Sequence, residues 1–148
     1  MPTPRPRVLL IDDDREVGLL VHAVLDDLCG IVEERDLEGA RAHLDGPLDL
    51  VLLDLRLAGE DGGALVPEIA ARLPLCSVVI LSGSGSLERA VELFREGVDD
   101  YILKPVPPVL LRKRVERILQ RHVLARTVED LRSAAGKEGD PAFRCLSV

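Results

Sequence analysis

Tryptophan is absent, and the 148 residues include one tyrosine, two phenylalanines and one methionine. With aromatics at 2 % and hydrophobic residues at 47 %, the core has to be built from Leu, Val, Ile and Ala. Cysteine is scarce too. Cys29, Cys76 and Cys145 are odd in number, widely spaced and without metal-site spacing, which excludes a disulfide framework or a zinc site. Two of them sit in apolar contexts and read as small buried hydrophobes. No stretch approaches the ~20 uninterrupted apolar residues of a membrane span. The start, Met1-Pro2-Thr3-Pro4-Arg5-Pro6-Arg7, is too proline-rich for a signal peptide. A reduced, cytoplasmic protein with no membrane partner is expected.

Positive charge is lacking where a nucleic-acid binder would need it. The net charge is −7, and residues 1–104 hold 10 Lys and Arg against 21 Asp and Glu. Such an acidic body argues against nucleic acid as a direct ligand. Residues 105–148 reverse the balance, 9 against 5, which reads as a solvated helix face.

Five short apolar runs are present, at residues 8–11, 30–33, 50–53, 78–81 and 101–103. The first, third and fourth are nearly unbroken Val, Leu and Ile, as in parallel strands buried on both faces. Between the runs lie helical stripes. Val17, Leu20, Val21, Val24, Leu25 and Leu28 form one, and Leu37, Ala40 and Leu44 a shorter one. Leu65, Ile69 and Leu73 make a third, and Ala90, Leu93 and Phe94 a fourth. Strand and helix alternate strictly, which predicts an α/β, doubly wound (βα)5 domain of flavodoxin-like type. Its five-stranded parallel sheet carries helices on both faces, and the last helix begins near Pro107. Ligands of such a sheet bind beyond the C-terminal ends of its strands.

The residues at those ends share one chemistry. Asp12, Asp13 and Asp14 follow the first run, Asp54 the third, Ser82 and Gly83 the fourth, and Lys104 and Pro105 the fifth. Singly, each has an ordinary reading: Asp13 or Asp14 as a helix cap, Ser82 as a turn residue, Lys104 as a surface lysine. Together they form a crowd of carboxylates that raise one another's pKa unless a cation is present. An all-oxygen set suits a hard ion, Mg²⁺ above all. An ammonium and a hydroxyl facing that set make a place for a phosphoryl group.

Four segments carry a family resemblance: Val8-Leu9-Leu10-Ile11-Asp12-Asp13-Asp14, Asp49-Leu50-Val51-Leu52-Leu53-Asp54, Val79-Ile80-Leu81-Ser82-Gly83 and Asp100-Tyr101-Ile102-Leu103-Lys104-Pro105. In order and spacing, over about residues 7–120, they resemble response-regulator receiver domains of two-component signalling systems. The resemblance implies a signalling switch rather than an enzyme with an external substrate, although it assists its own phosphotransfer and hydrolysis. Asp54 then accepts a phosphoryl group from a histidine kinase or phosphotransfer protein. Asp12, Asp13, Asp54 and the backbone carbonyl of Arg56 hold Mg²⁺. Lys104 pairs with Asp54 and then with the phosphoryl oxygens, and backbone at Leu55 and Gly83 contacts them. Ser82 donates its hydroxyl to the phosphoryl group, and Tyr101 turns inward behind it. Lys104-Pro105 resembles the family's cis peptide.

There are departures. Leu57-Ala58-Gly59 stands where the family often has Met-Pro-Gly, which removes a proline's stiffness from the loop after Asp54. Arg56 and Ser84 fall at positions that vary in the family and tune phosphoryl lifetime. A rival reading is an aspartate-nucleophile phosphatase of haloacid-dehalogenase type, built on Asp12-Asp13-Asp14 with Ser82, Lys104 and Asp99-Asp100. That class places its acidic pair after the lysine, whereas here the pair precedes it, and Asp54 is left idle. A flavin binder would need a phosphate loop where the three aspartates lie. Gly83-Ser84-Gly85-Ser86 lacks the Gly-Lys-Ser/Thr of a nucleotide loop. His22, His43 and His122 have no partners at catalytic spacing and read as packing or surface residues.

The last helix shows two stripes. Leu111, Val115, Ile118 and Leu119 form the core face, while Leu124, Val128 and Leu131 centre roughly 160° away at ~100° per residue. That second seam is expected to serve a homodimer contact or an output domain. The expected organisation is a flexible N-terminal segment at 1–6, a receiver domain at 7–121, and a helical extension with unstructured tail or linker at 122–148. Residues 133–148 are read as unstructured. With no DNA-binding module in the sequence, a stand-alone regulator or a piece of a longer one is expected.

Overall fold

The computed structural model describes residues 5–138. Five strands form one parallel sheet: β1 (Arg7–Ile11), β2 (Gly30–Glu34), β3 (Leu50–Asp54), β4 (Ser77–Ser82) and β5 (Asp100–Leu103), in the order β2-β1-β3-β4-β5. Helices α1 (Arg15–Leu25), α2 (Leu37–Arg41), α3 (Leu65–Arg72), α4 (Leu87–Arg95) and α5 (Pro108–Glu138) follow in alternation. The expected flavodoxin-like α/β fold is what the chain adopts.

The alternation of side chains along each strand divides the core in two. Val8, Leu10, Leu50, Leu52, Val79, Leu81 and Ile102 face Val21, Leu25, Leu111 and Val115 of α1 and α5. Leu9, Ile11, Val51, Leu53 and Ile80 face Ala40, Leu65, Ile69 and Leu93 of α2, α3 and α4. Burying one such Leu or Ile side chain contributes about 1.5–3 kcal/mol relative to leaving it in water. Because both faces are covered, the inner strands β1, β3 and β4 are apolar at nearly every position, which is why no polar alternation marks them.

Short side chains start α1, α2 and α4. Asp14 accepts from the Glu16 amide, Asp36 from Gly39 and Ser86 from Arg89, each satisfying a donor left open in a first helical turn. Asp14 is thus a cap, the ordinary one of its two readings.

Several expectations change. Phe94 belongs to the fourth stripe but is 47 % exposed, and of that stripe only Leu93 is fully buried. α4 therefore packs through a single leucine and leaves Leu87, Val91 and Phe94 in solvent. α5 runs unbroken to Glu138, so 133–138 are helical rather than unstructured, while 139–148 lie outside the described residues. Within 1–6, Arg5 donates to the carbonyls of Asp26 and Cys29, and the Pro6 carbonyl accepts from Gly30. These two residues are tied to the body rather than flexible, and 1–4 lie outside the described residues. Each histidine has a partner: His22 with Asp26 and Glu33, His43 with Glu34, and His122 with Ser77 and Asp49. Cys29 is buried and Cys76 half-buried, both as free thiols raised by burial, to about 11 and about 12 respectively, while Cys145 lies outside the described residues.

The second stripe of α5 is exposed as its phase implied, with Leu124 at 64 %. Among the described residues, no helix is long and apolar enough to cross a membrane.

Candidate phosphoacceptor site

Sheet register brings the site together. Ile11 lies opposite Leu53, Asp54 opposite Leu81, and Ser82 opposite Leu103. The residues that end β1, β3, β4 and β5 therefore arrive along one edge, at the switch point where neighbours of β1 leave in opposite directions. Asp12, Asp54 and Ser82 are buried, 7 %, 6 % and 3 % exposed, whereas Asp13 is exposed at the rim.

Carboxylate oxygens of Asp12, Asp13 and Asp54 lie within 4.8 Å of one another. Lys104 Nζ stands 3.2 Å from Asp54 Oδ2 and donates to it. The same ammonium is 2.9 Å from the buried Asp12 Oδ2, so one lysine serves both carboxylates. Asp12 Oδ1 accepts from the Asp14 amide, Asp13 Oδ2 from Ala58 and Asp54 Oδ1 from Arg56. Burial pushes the Asp12 carboxyl up, with the charge of Asp54 adding to it, against the lowering effect of Lys104 and the Asp14 amide. For Lys104 burial pulls down, yet its contacts with Asp12 and Asp54 together outweigh it and the ammonium is raised. One half-buried cation thus faces two buried carboxylates. A second cation fits this donor set of three clustered carboxylates that share a single ammonium.

Ser82 Oγ donates to the Ser84 carbonyl at 2.8 Å, within its own loop. The Tyr101 hydroxyl is buried without a partner, with its ring against Gly85. Neither hydroxyl is hydrogen-bonded to the carboxylate cluster. The Lys104-Pro105 peptide is cis.

The loop after Asp54 folds back as a two-strand ribbon, Arg56–Leu57 against Glu60–Asp61. Its two central residues, Ala58 at φ 49° and Gly59 at φ 84°, both have positive φ, as in the tight turns favoured by hairpins. Proline, locked near φ −65°, could not occupy position 58 in this turn. The departure from Met-Pro-Gly therefore yields a different ordered loop rather than a slacker one. Gly62 follows with its backbone against the Asp54 carbonyl, where a Cβ would collide, and its amide donates to the Leu55 carbonyl at 2.8 Å. This contact clamps the ribbon to the backbone of Asp54.

The sequence model described as the response regulator receiver domain matches residues 8–116. The chain belongs to the receiver domain family. It is 38 % identical over 123 residues to the transcriptional regulatory protein AruR of Pseudomonas aeruginosa, covering 78 % of this chain and 50 % of that protein. The crystal structure of NtrX from Brucella abortus superposes at TM-score 0.74 with 36 % identity, over 84 % of this chain and 29 % of that one. The BeF3-activated receiver domain of DrrB matches at TM-score 0.72 and 26 % identity, over 77 % of this chain and 97 % of that one. A phosphorylation-activated switch is the general function of the receiver family. The chain spans about half the length of the first curated relatives it matches.

Two contacts of this receiver domain lay outside sequence reasoning. Arg89 of α4 pairs with Asp61 of the ribbon, and Arg126 of α5 with Asp49 at the far end of the sheet. Their separations of 28 and 77 residues left no local signal.

Proposed function

We propose that Asp54 is the phosphoacceptor and that the donor is the phosphohistidine of a histidine kinase or phosphotransfer protein. The observation that carries this reading is the Asp54 carboxylate, buried beside Asp12 and Asp13 and held by Lys104 at 3.2 Å. An Asp54 oxygen attacks phosphorus as the phosphorus–nitrogen bond breaks, and the imidazole leaves with the electron pair and takes a proton. Lys104 offsets the charge that gathers on the transferring oxygens, and in this reading the backbone amides of Leu55 and Gly83 donate to them. Mg²⁺ is the cation that suits the donors Asp12, Asp13, Asp54 and the Arg56 carbonyl, and it would supply charge neutralisation of the phosphoryl oxygens. Ser82 then exchanges the Ser84 carbonyl for a phosphoryl oxygen, a charged acceptor absent beforehand. That differential contact is what a two-state switch requires. Tyr101, expected to turn inward behind it, already has its hydroxyl buried beside Gly85 in this structure.

This reading treats the protein as a switch that assists its own phosphotransfer, in a reduced cytoplasmic setting. Residues 7–121 form the receiver unit in it. The stretch 122–148 is a connector whose seam at Leu124, Val128 and Leu131 meets a second copy or an output domain. Intact-mass measurement with a small phosphodonor and Mg²⁺ tests the core of the proposal. One phosphoryl group is expected on the wild type and none on Asp54→Ala. If Asp54→Ala is modified and Asp12→Ala is not, the phosphatase reading replaces it.

A further inference from the structure

Arg89 joins the two loops that border Asp54. Its backbone amide donates to Ser86 Oγ at 3.1 Å, at the end of the loop that begins with Ser82. Its guanidinium crosses the groove, pairing with Asp61 Oδ2 at 2.8 Å and Glu92 Oε2 at 3.1 Å. The far end of that bridge is anchored in turn. Asp61 Oδ1 accepts from the Gly63 amide at 2.9 Å, and the adjoining Gly62 packs on the Asp54 carbonyl. The guanidinium lies over Gly63, where a Cβ would displace it. The groove that it spans is about 930 Å³ and is lined by Asp13, Ala58, Asp61, Ser84, Gly85 and Arg89. Leu55 and Arg56, which follow Asp54 in the chain, also line it.

We infer that Arg89 and Asp61 form a latch that holds α4 and the Ser82 loop in the resting position and so sets the rate of phosphoryl acceptance. Three observations converge on it. Ser82 Oγ donates to the Ser84 carbonyl and accepts from the Ser84 amide, so engaging a phosphoryl group breaks contacts that hold the 82–86 loop. The Ser86 cap makes the start of α4 move with that loop. α4 packs through Leu93 alone among its fully buried residues, so it has little else to hold it, and an ion pair can weigh on its position. Loop movement therefore draws Arg89 away from Asp61. The latch rests on the phosphoacceptor reading above. Arg89 acts in it as a positioning residue.

The test uses the full chain with four variants. Arg89→Gln removes the cation, and Asp61→Asn removes the anion while keeping an oxygen for the Gly63 amide. Gly63→Ala pushes the guanidinium off without changing charge. The double variant Arg89→Asp with Asp61→Arg restores the pair in reverse. For an exposed pair of ordinary strength, each of the first three is expected to take up a phosphoryl group from acetyl phosphate ~2–5-fold faster than wild type, and the double variant to return toward the wild-type rate. Amide exchange across 84–96 in the unphosphorylated protein is expected to quicken in the same three and recover in the fourth. A slower Arg89→Gln beside a faster Asp61→Asn would overturn the latch in favour of Arg89 attracting the anionic donor. Unchanged exchange, or no recovery in the reversed pair, also overturns it. Failure of the wild type to take up phosphoryl on Asp54 would instead strike the phosphoacceptor reading, and the exchange measurement would still decide whether the latch exists.

Discussion

Asp49, at the N-terminal ends of the strands, is as buried as Asp12 and Asp54 at the C-terminal ends, 4 % exposed against 7 % and 6 %. Their surroundings differ. Asp49 Oδ2 accepts from the Arg7 amide at 2.8 Å, and Oδ1 pairs with Arg126. His122 stands 3.7 Å away and is itself held by Ser77. Beside it, Asp99 Oδ2 accepts from the Val78 amide at 2.8 Å. At this edge the buried Asp49 has donors of its own, and the result is a fastening of β1, β4 and α5. At the other edge two buried carboxylates share one ammonium, that of Lys104. Residue type and burial are alike at both ends. What separates a fastening from a reactive centre is whether local donors match local charge.

The comparison is broken most directly by exchanging its members. Asp49→Ala leaves the Arg7 amide unsatisfied, and a loss of about 1–3 kcal/mol is expected in urea unfolding, with phosphoryl uptake at Asp54 retained. Asp54→Ala, which thins a crowd of like charges, should not lower the melting temperature. A destabilised Asp54→Ala beside an unaffected Asp49→Ala would reverse the assignment of the two ends.

A middling effect is expected from the cation. The raised Asp12 pKa means that charging this carboxylate costs the metal-free fold. Its contribution is most favourable below the unfolded value and is lost as pH climbs through the raised folded one. Near neutrality Asp12→Asn should therefore melt higher than wild type without metal. Mg²⁺ should raise the wild-type melting temperature, because a ligand specific to the folded state stabilises it. Asp13→Ala should erase that rise. A melting temperature indifferent to saturating Mg²⁺ would remove the need for a cation from the comparison.

The smallest effect belongs to His22, on neither edge. Its hydrogen bond to Asp26 raises its pKa against slight burial, and the charges of Asp26 and Glu33 add to the rise. The stabilisation is present in full below the unfolded value near 6.5 and is lost as pH rises through the folded one. The pair is more than a third exposed, so only about 0.3–0.5 kcal/mol is expected. Denaturation of wild type and His22→Gln at about pH 5.5 and pH 8.5 measures it. An equal difference at both values would show that the histidine contributes by packing alone.

Much of the fold and of the candidate site was legible beforehand for a specific reason. Strands buried on both faces are apolar throughout, so 8–11, 50–53 and 78–81 were recognisable as runs, and Asp12, Asp54 and Ser82 follow or end them directly. Less was legible wherever packing was partial. Phe94 looked like core because its spacing is helical, but α4 is held by Leu93 and turns the rest outward. The proline missing at position 58 read as lost stiffness, whereas the positive φ of Ala58 shows an ordered turn of another kind.

By itself the sequence determined the alternation of strand and helix, and with it the edge at which Asp12, Asp13, Asp54, Ser82 and Lys104 had to appear. These follow from periodicity and from position relative to strand ends, both properties of neighbouring residues. The tertiary structure alone decided which carboxylates would be satisfied and which left short of donors. Asp49 is matched by Arg126 from 77 residues away, and Asp61 by Arg89 from 28. Partners so distant are chosen by how helices lie on the sheet, through energies of contact that no local pattern of residues encodes.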